Sequence, residues 1–363
     1  MINYIWIWKQ IKNGAGSPGN LEEVIIEIFV ITTRGLEPVS AGELALLPGV
    51  QVVETAYRRV SARIEGDLAR LLRLRTVDDV FLPVGEWDGL VPQRAALDRI
   101  QAESLRLELK AAVEAIAGLR DVGANISFSV SVNFVGRRNY SAEEIKTLVA
   151  EGVAGRYGWG YGDENRTSLN LRVFIEHERA WLGLRLSAHP LHDRLYKQAH
   201  ISGSLKPPVA AAMLMLAEPH PAATVLDPFC GAGTIAIEAG LVGLVPLAFD
   251  HEASALAAAA ENARLAGVSL RLGQVDARRL ALGPGSVELL AANLPWGRQV
   301  PVSDAVGDFY RQVCAEIERV LVSGGRAVLL TNLPQLLSFE RLTLHRQVEI
   351  SLFGQAPSIL VVN

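Results

Sequence analysis

The second half of the chain, from about residue 224 to the end, alternates short strand-like runs with helix-like runs. The strand-like runs, among them "TVLDPF", "VPLAFD" and "VELLAANLP", are apolar at nearly every position. Strands that are apolar on both faces need helices on both sides, so the pattern predicts an α/β domain with a parallel sheet. The last two runs, "LTLHRQVEISLFG" and "PSILVVN", have no helix between them. We therefore expect an antiparallel hairpin at one edge of that sheet.

A glycine-containing turn, "DPFCGAGT" (Asp227 to Thr234), follows the first of these strands and precedes the first helix. Gly231 and Gly233 let the backbone approach a ligand closely, and the start of the helix offers free amide donors. The dinucleotide pattern G-x-G-x-x-G is incomplete because position 236 is alanine, and the lysine of a P-loop is missing. The turn therefore predicts a nucleotide-derived ligand without a pyrophosphate.

Aspartates stand at the ends of three successive predicted strands: Asp227, Asp250 and Asp276. The carboxyl ends of parallel strands meet at the edge where open α/β sheets bind ligands. There the first acid can face a cationic amino-acid group, the second can accept the ribose hydroxyls, and the third can accept from an adenine amino group. The set suits S-adenosylmethionine. Any one of these aspartates, taken singly, serves equally well as a helix cap or turn former.

The fourth strand ends in "NLPW", which resembles the (D/N/S)-P-P-(Y/F/W) signature of class I methyltransferases that act on exocyclic amino groups. Leu294 stands where most members have the first proline. Because only the backbone carbonyl at this place is used, leucine need not abolish activity, although it can shift the loop.

The residues of this loop match the chemistry of an aromatic amine, whose lone pair is delocalised into the ring and is a poor nucleophile. The side-chain oxygen of Asn293 and the carbonyl of Leu294 can accept from the amine and free its lone pair, so positioning and electrostatics suffice without a metal or a strong base. Pro295 fixes the turn, and Trp296 offers a face for stacking a base. The alternative for Trp296 is a core aromatic.

The first half shows a different pattern. Residues 24–87 alternate strand-like and helix-like runs and predict a small α+β unit, and residues 92–118 predict one long amphipathic helix. "ISFSVSVNFVG" alternates as a strand does, Ser141 and Glu144 have capping-box spacing, and "TSLNLRVFIEHERAWLGLRLS" predicts two strands joined at "HER".

Charge is distributed unevenly along the chain. The net charge of −4 argues against a protein that holds nucleic acid by bulk electrostatics. Between Arg179 and Lys206, however, five basic residues and three histidines stand against one acid, Asp193. This stretch predicts a contact surface for a polyanion in the middle of the chain, and a solvated linker accounts for the same charges equally well.

The stretches "HPLHDRLYK" and "GSLKPP", together with "DPFCGAGT", resemble the THUMP-containing RNA methyltransferases, and the resemblance covers nearly the whole chain from about Val24. It implies a ferredoxin-like α+β domain over 21–90 and a THUMP RNA-binding domain over 91–188, whereas residues 1–20, which end in "NGAGSPGN", are expected to be a loose leader. A basic linker over 189–208 and a Rossmann-like methyltransferase domain over 209–363 follow. The members closest in layout are tRNA guanine-N2 methyltransferases, so a guanosine of the tRNA acceptor stem, at position 6, is the expected substrate.

Candidate site residues follow from these motifs and from the resemblance. The expected donor-binding residues are Ser204, Leu205, Asp227, Phe229, Gly231, Gly233, Thr234, Asp250, His251, Asp276, Ala277 and Asn293. The expected RNA contacts are Arg137, Arg138, Arg185, Arg194, Lys197 and Lys206. The expected catalytic residues are Asn293, Leu294, Pro295 and Trp296.

Three alternatives stay open: the same chemistry on ribosomal RNA, an RNA-binding module with a vestigial catalytic domain, and a protein-glutamine methyltransferase. Two cysteines, Cys230 and Cys314, are too few for a disulfide framework or a zinc cluster, so we expect a protein of the reducing cytoplasm without a metal. We also expect a monomer. Cys230 is expected to be a small apolar filler rather than a nucleophile. The apolar start "MINYIWIWKQ" is too short to span a bilayer.

Overall fold

The structure is a computed structural model that describes residues 25–296 and 305–363. The predicted leader over residues 1–20 lies outside the described residues. The strands described are β1 (Ile25–Ile31), β2 (Val50–Ala56), β3 (Arg59–Glu65), β4 (Asp79–Trp87), β5 (Ser127–Phe134), β6 (Gly160–Tyr161), β7 (Leu169–Glu176), β8 (Arg179–Arg185), β9 (Thr224–Asp227), β10 (Val245–Asp250), β11 (Arg271–Gln274), β12 (Val287–Asn293), β13 (Leu321–Thr331), β14 (Leu344–Glu349) and β15 (Ser358–Val362). The α-helices described are α1 (Glu37–Ala45), α2 (Ala95–Ser104), α3 (Lys110–Ala117), α4 (Ala142–Tyr157), α5 (Pro207–Ala217), α6 (Thr234–Leu241), α7 (Ala253–Ala266) and α8 (Ala305–Val320).

The second half folds around a sheet in the order β11-β10-β9-β12-β13-β15-β14. The first five strands in this order, from β11 to β13, are parallel to one another. The last two, β15 and β14, complete the edge as an antiparallel hairpin. Successive residues of β12 enter different cores: Leu289 packs in a cluster with α5 and α6, whereas Leu290 packs in a cluster with α8. The predicted parallel sheet with its edge hairpin is confirmed.

The first half folds around a second sheet, in the order β2-β3-β1-β4-β8-β7-β5-β6. The segments predicted as two domains, 21–90 and 91–188, both contribute to it. They join where β4 pairs antiparallel with β8, from Phe81 opposite Arg185 to Trp87 opposite Ala180. One hydrophobic cluster contains residues of both segments. The described part of the first half is therefore continuous across residue 90, with a shared core.

The single long helix predicted over residues 92–118 is wrong, because the structure has two helices there, α2 and α3. The hydroxyl of Tyr157, at the end of α4, forms hydrogen bonds with the backbone between α2 and α3. It accepts from the amide of Leu109 at 2.9 Å and donates to the carbonyl of Leu107 at 2.8 Å. This partner is distant in sequence, so local periodicity could not reveal it. The capping box of Ser141 and Glu144 and the two strands joined at "HER" are confirmed.

A buried carboxylate joins the two halves. Glu238 on α6 is fully buried, and its side chain accepts hydrogen bonds from Tyr196 at 2.8 Å and from Nε of Arg75 at 2.9 Å. Arg194 lies against the same carboxylate at 3.3 Å and also donates to the backbone carbonyl of Arg75 at 2.9 Å. Arg75 comes from the first half. Arg194 and Tyr196 come from residues 186–206, which join β8 to α5 and which we call the connecting stretch. We call these four residues the Glu238 cluster.

Residues 25–296 and 305–363 offer neither a membrane span nor a metal site. No helix in them is both long and apolar enough to cross a bilayer. They also contain no group of three or more His, Cys, Asp or Glu side chains that could hold a metal ion.

Removing the carboxylate of the Glu238 cluster is expected to destabilise the protein strongly. The Glu238→Ala variant leaves the partly buried guanidinium groups of Arg75 and Arg194 unpaired, which typically costs about 3–5 kcal/mol. Urea unfolding followed by circular dichroism measures the change. The matched control is Glu261→Ala, which removes an exposed ion pair with Arg264 and should leave the midpoint unchanged. Equal effects from the two variants would show that the cluster does not hold the halves together.

Candidate active site

A cavity of about 330 Å³ opens at the carboxyl edge of the parallel sheet. Its walls come from the ends of β9, β10 and β12, from the glycine turn after β9, and from the connecting stretch just before α5. It is lined by Ile201, Ser202, Gly203, Ser204, Leu205, Asp227, Phe229, Cys230, Gly231, Ala232, Thr234, Ile235, Asp250, His251, Glu252, Asn293, Leu294 and Pro295. Parallel strands bring these distant segments together, as the predicted edge requires.

The two glycines of the turn have different roles. Both have positive φ, +52° for Gly231 and +81° for Gly233. A side chain on Gly231 would meet Ile201 across the cavity wall at 2.9 Å, whereas one on Gly233 would meet Ala259 of α7 at 3.0 Å. Gly231 therefore shapes the cavity. Gly233 lies outside the lining and allows the close packing of α6 on α7, and its predicted donor contact stays a prediction.

Two of the three strand-end aspartates face the cavity. Asp227 is buried, and its carboxylate accepts from the amide of Phe229 at 3.1 Å. Asp250 accepts from the amides of Gly231 at 2.9 Å and Glu252 at 3.0 Å. Burial raises the pKa of Asp227 to about 8, the hydrogen bond from Phe229 opposes this shift, and the nearby charge of Asp250 adds to it. Asp227 is thus poised to gain from a cation in the cavity.

Asp276 and Ala277, both predicted to contact the donor, are not among the lining residues. Asp276 lies two residues beyond the end of β11 and caps a turn, accepting from the amide of Arg278 at 2.9 Å and from its guanidinium at 3.0 Å. Its side chain is 45% exposed. The Arg278 guanidinium lowers the pKa of Asp276, which matches an ion pair at the surface. Ala277 is buried in the cluster that contains α8.

One wall of the cavity is formed by residues 201–205 of the connecting stretch, and Asn262 of α7 anchors the stretch just before it. The buried side chain of Asn262 accepts from the amides of Gln198 at 3.1 Å and Ala199 at 2.9 Å, and it donates to the carbonyl of Ala232 in the glycine turn at 3.0 Å. The glycine turn and the connecting stretch therefore hold each other in place.

Asn293, the last residue of β12, presents an acceptor that nothing in the described chain satisfies. Its Nδ2 donates to the carbonyl of Gly203 at 3.4 Å, while its Oδ1 is buried without a hydrogen-bond partner among the described residues. The hydroxyl of Ser204 is likewise buried and unpaired within the described ranges. Both residues line the cavity. Buried polar atoms left open in this way indicate a ligand that completes their hydrogen bonds.

Leu294 is held as part of the core. It is 2% exposed, its side chain packs in the same cluster as Tyr310 of α8, and its amide donates to the carbonyl of Leu330 at 2.9 Å. Proline has no amide hydrogen and could not form that bond. Leucine at this place therefore extends the contact between β12 and β13 by one residue.

Trp296 does not line the cavity. Its ring is half-buried against the cluster that contains Leu214 and Ile350, and its Nε1 is buried without a partner among the described residues. This placement fits the alternative reading of a core aromatic. Stacking of a base on Trp296 stays a prediction.

The structure separates the predicted RNA contacts into two groups. Arg137 is exposed and Lys206 is half-buried, and the side chain of neither has a hydrogen bond or ion pair to any described residue. The other four are engaged in the fold. They are Arg138, which donates to Tyr140 at 2.7 Å; Arg185, which is paired with Asp79 at 2.5 Å; Arg194, in the Glu238 cluster; and Lys197, which donates to the carbonyl of Leu205.

These pairings correct the charge-based prediction for Arg138, Arg185, Arg194 and Lys197. Arg185 is only 3% exposed, so its guanidinium is out of reach of a phosphate. Burial lowers the pKa of Lys197 to about 8, which weakens it further as a cationic contact. Arg194 and Lys197 position the connecting stretch.

Several lining residues were not predicted: Ile201, Ser202, Gly203, Ala232, Ile235 and Glu252. Gly203 was within reach of sequence reasoning, because it opens the quoted stretch "GSLKPP". The predicted lining residues Ser204, Leu205, Asp227, Phe229, Gly231, Thr234, Asp250, His251 and Asn293 all come together in the cavity. Cys230 also lies in the wall, and burial raises the pKa of its thiol, as expected of an apolar filler.

Comparison with known proteins supports the reading of this cavity. Residues 194–350 match the family described as RMKL-like, methyltransferase domain. A tRNA (guanine(6)-N2)-methyltransferase from Thermus thermophilus is 35% identical over 58% of this chain and 64% of its own length. Ribosomal RNA large subunit methyltransferase K/L from Syntrophotalea carbinolica is 26% identical over 86% of this chain and 50% of its own length. The alignments thus span less than two thirds of each of these relatives.

Among solved structures, the crystal structure of TrmN from Thermus thermophilus superposes with a TM-score of 0.75 and 28% identity. The superposition covers 93% of this chain and 99% of TrmN. The chain therefore shares the mixed α/β architecture of both its halves with TrmN.

The raised pKa of Asp227 predicts a pH-dependent affinity for a cationic ligand such as S-adenosylmethionine. Below its pKa of about 8 the carboxyl is mostly protonated and neutral, and above it the carboxylate attracts the ammonium group of the ligand. Affinity should rise between about pH 6 and pH 9. Calorimetric titration of the wild type and of Asp227→Asn across this range separates the effect from titration of the ligand itself. If the difference between the two proteins were constant with pH, Asp227 would not face the ammonium group.

Proposed function

We propose that this protein, whose residues 194–350 form an RMKL-like methyltransferase domain, transfers a methyl group from S-adenosylmethionine to the exocyclic N2 of a guanosine in tRNA. The observation that carries the proposal is the open acceptor at the cavity: Asn293 Oδ1 is buried and unpaired within the described residues, at the end of β12. The named activity of the Thermus relative supplies the substrate class.

The cavity residues fit S-adenosylmethionine, which when bound supplies a methyl group on an electrophilic sulfonium. Asp250 and the glycine turn form one side of the site, and the unpaired hydroxyl of Ser204 forms another. Asp227 is the cavity acid whose ionised form would favour the ammonium group of the donor. We assign donor binding to these residues and to Leu205, Phe229, Thr234 and His251, which also line the cavity.

The protein activates the amine by accepting hydrogen bonds from it. The amino group of guanine has a delocalised lone pair, and two hydrogen-bond acceptors aimed at its hydrogens free that pair for attack. Asn293 Oδ1 is one acceptor, and its direction is set because Nδ2 of the same amide is bound to Gly203. The carbonyl of Leu294 is the other. The methylated amine loses one proton to solvent and neither acceptor keeps it, so the residues act by placement and electrostatic complementarity.

The first half supplies the RNA contacts in this proposal, as a ferredoxin-like unit and a THUMP unit that share one sheet. Arg137 of the first half and Lys206, directly before α5, are the two predicted phosphate contacts whose side chains have no partner among the described residues. The guanosine must leave its stem to enter the cavity, and base flipping costs a few kcal/mol that phosphate contacts and stacking on Trp296 offset. We propose that the protein acts as a monomer in the cytoplasm.

A second candidate is guanine-N2 methylation of ribosomal RNA, favoured by the Syntrophotalea relative, whose alignment covers 86% of this chain. Incubation of the protein with isotope-labelled S-adenosylmethionine and either tRNA or ribosomal RNA, followed by mass spectrometry of the nucleosides, separates the two. The proposal predicts labelled N2-methylguanosine from tRNA. Label in ribosomal RNA alone would favour the second candidate, and label in neither would point to a vestigial catalytic domain.

The acceptor role predicts that Asn293→Ala abolishes methyl transfer but leaves donor affinity close to that of the wild type. The variant removes the open oxygen while the carboxylates of Asp227 and Asp250 stay in place. Radiolabelled transfer and calorimetry measure the two quantities. Asn332→Ala is the matched control, because Asn332 follows the neighbouring strand β13 but lies outside the cavity. Turnover retained by Asn293→Ala would rule out the mechanism.

The available cations predict a specific loss of tRNA affinity. A variant with both Arg137→Ala and Lys206→Ala should bind tRNA more weakly, and the slope of log affinity against log salt should shrink by about one for each lost phosphate contact. Filter binding at several salt concentrations measures both. A double variant with Arg264→Ala and Arg311→Ala removes the same charge from exposed helix surfaces of the second half and serves as control. Equal losses would show that only net charge matters.

A further inference from the structure

A chain of hydroxyl groups supports the "NLPW" loop from the side of α8. The hydroxyl of Tyr310, on α8, donates to the backbone carbonyl of Pro295 at 2.9 Å. It also lies 2.9 Å from the hydroxyl of Thr331, the last residue of β13. The Thr331 oxygen in turn accepts from the amide of Leu333 at 3.0 Å. The chain therefore runs from the backbone beyond β13 to the backbone of the loop.

The direction of each hydrogen bond in this chain is determined. The carbonyl of Pro295 can only accept, so the single proton of the Tyr310 hydroxyl points to it. Thr331 must then donate to Tyr310, and its lone pair is free for the Leu333 amide. Burial raises the pKa of Tyr310, so its hydroxyl stays protonated. Tyr310 is 2% exposed and Thr331 is fully buried, which keeps competing water out.

The loop is thus anchored on both sides of one carbonyl group. The amide of Leu294 is bound to Leu330 at 2.9 Å, and the carbonyl of Pro295 is bound to Tyr310 at 2.9 Å. Between these anchors lies the carbonyl of Leu294, which receives no hydrogen bond from a donor in the described chain. Leu294 lines the cavity although its side chain packs in the core, so we infer that its backbone forms its part of the cavity wall.

We propose that Tyr310, supported by Thr331, is a positioning residue that fixes the direction of the Leu294 carbonyl and so sets the second acceptor for the substrate amine. This inference rests on the proposed methyl transfer to an amine. It assigns to a distant helix the rigidity that a proline at position 294 would otherwise supply. Tyr310 does not line the cavity, so we expect loss of its hydroxyl to act on turnover rather than on donor binding.

The test is removal of one oxygen atom. Tyr310→Phe keeps the ring in its core cluster and is expected to lower kcat by about ten- to hundredfold, since small displacements of positioned groups have effects of this size. The Kd for S-adenosylmethionine should be unchanged. Thr331→Val should act in the same direction, and the double variant should be no worse than the more severe single variant, because both break one chain. Thr331→Ser, which keeps the hydroxyl, should retain kcat.

A core variant on the same helix separates positioning from general destabilisation. Val313→Ala opens a small cavity in the cluster that contains Tyr310 and should lower the Tm at least as much as Tyr310→Phe, with kcat retained. A kcat of Tyr310→Phe equal to that of Val313→Ala would overturn the proposal.

A second measurement does not depend on activity. Hydrogen exchange of the Leu294 amide should speed up in Tyr310→Phe and stay as in the wild type in Val313→Ala, because only the first change releases the loop. Unchanged exchange in Tyr310→Phe would overturn the positioning role. A wild type that methylates no RNA, combined with faster exchange in Tyr310→Phe, would refute the proposed function while leaving the anchoring of the loop in place.

Discussion

The contact on which the arrangement of the chain depends is the buried carboxylate of Glu238. A charged carboxylate in the interior is strongly destabilising unless it is paired, so Arg75 from the first half and Arg194 from the connecting stretch must be in place in the folded protein. The helix that carries Glu238 begins directly after the glycine turn of the cavity. A single helix thus fixes the first half, which we propose holds the RNA, relative to the edge of the sheet that carries the cavity.

The connecting stretch carries this constraint into the site. It begins at the Glu238 cluster, is bound by Asn262 on α7, and ends in the wall of the cavity, where the carbonyl of Gly203 accepts from Asn293. The basic residues Arg194 and Lys197, which charge counting places in contact with a polyanion, hold this stretch together instead. The stretch contacts both the first half and the side-chain amide of Asn293. A shift of one half against the other would therefore move Oδ1 of Asn293.

The parts predicted from sequence are those that local chemistry determines. Apolar periodicity predicted the parallel sheet and its hairpin, and polar residues at strand ends predicted Asp227, Asp250 and Asn293, because parallel strands place such residues together whatever the rest of the fold. The errors concern partners distant in sequence. Arg185 pairs with Asp79 through a strand contact between the two predicted domains, and Tyr157 ends the helix predicted over residues 92–118. Asp276 is a different case, because it follows a predicted strand end and pairs with its near neighbour Arg278, and its donor contact stays a prediction.

Leu294 illustrates how the loop keeps its shape with an unusual residue. Its amide hydrogen bond to Leu330, its buried side chain and the hydroxyl of Tyr310 together supply the rigidity of a proline. The central claim is that Asn293 and Leu294 accept hydrogen bonds from an exocyclic amine. The most direct test is labelled methyl transfer to a tRNA in which inosine replaces the target guanosine, because inosine lacks only that amine. We expect full labelling of the guanosine tRNA and none of the inosine tRNA. Labelling that persists with inosine would contradict it.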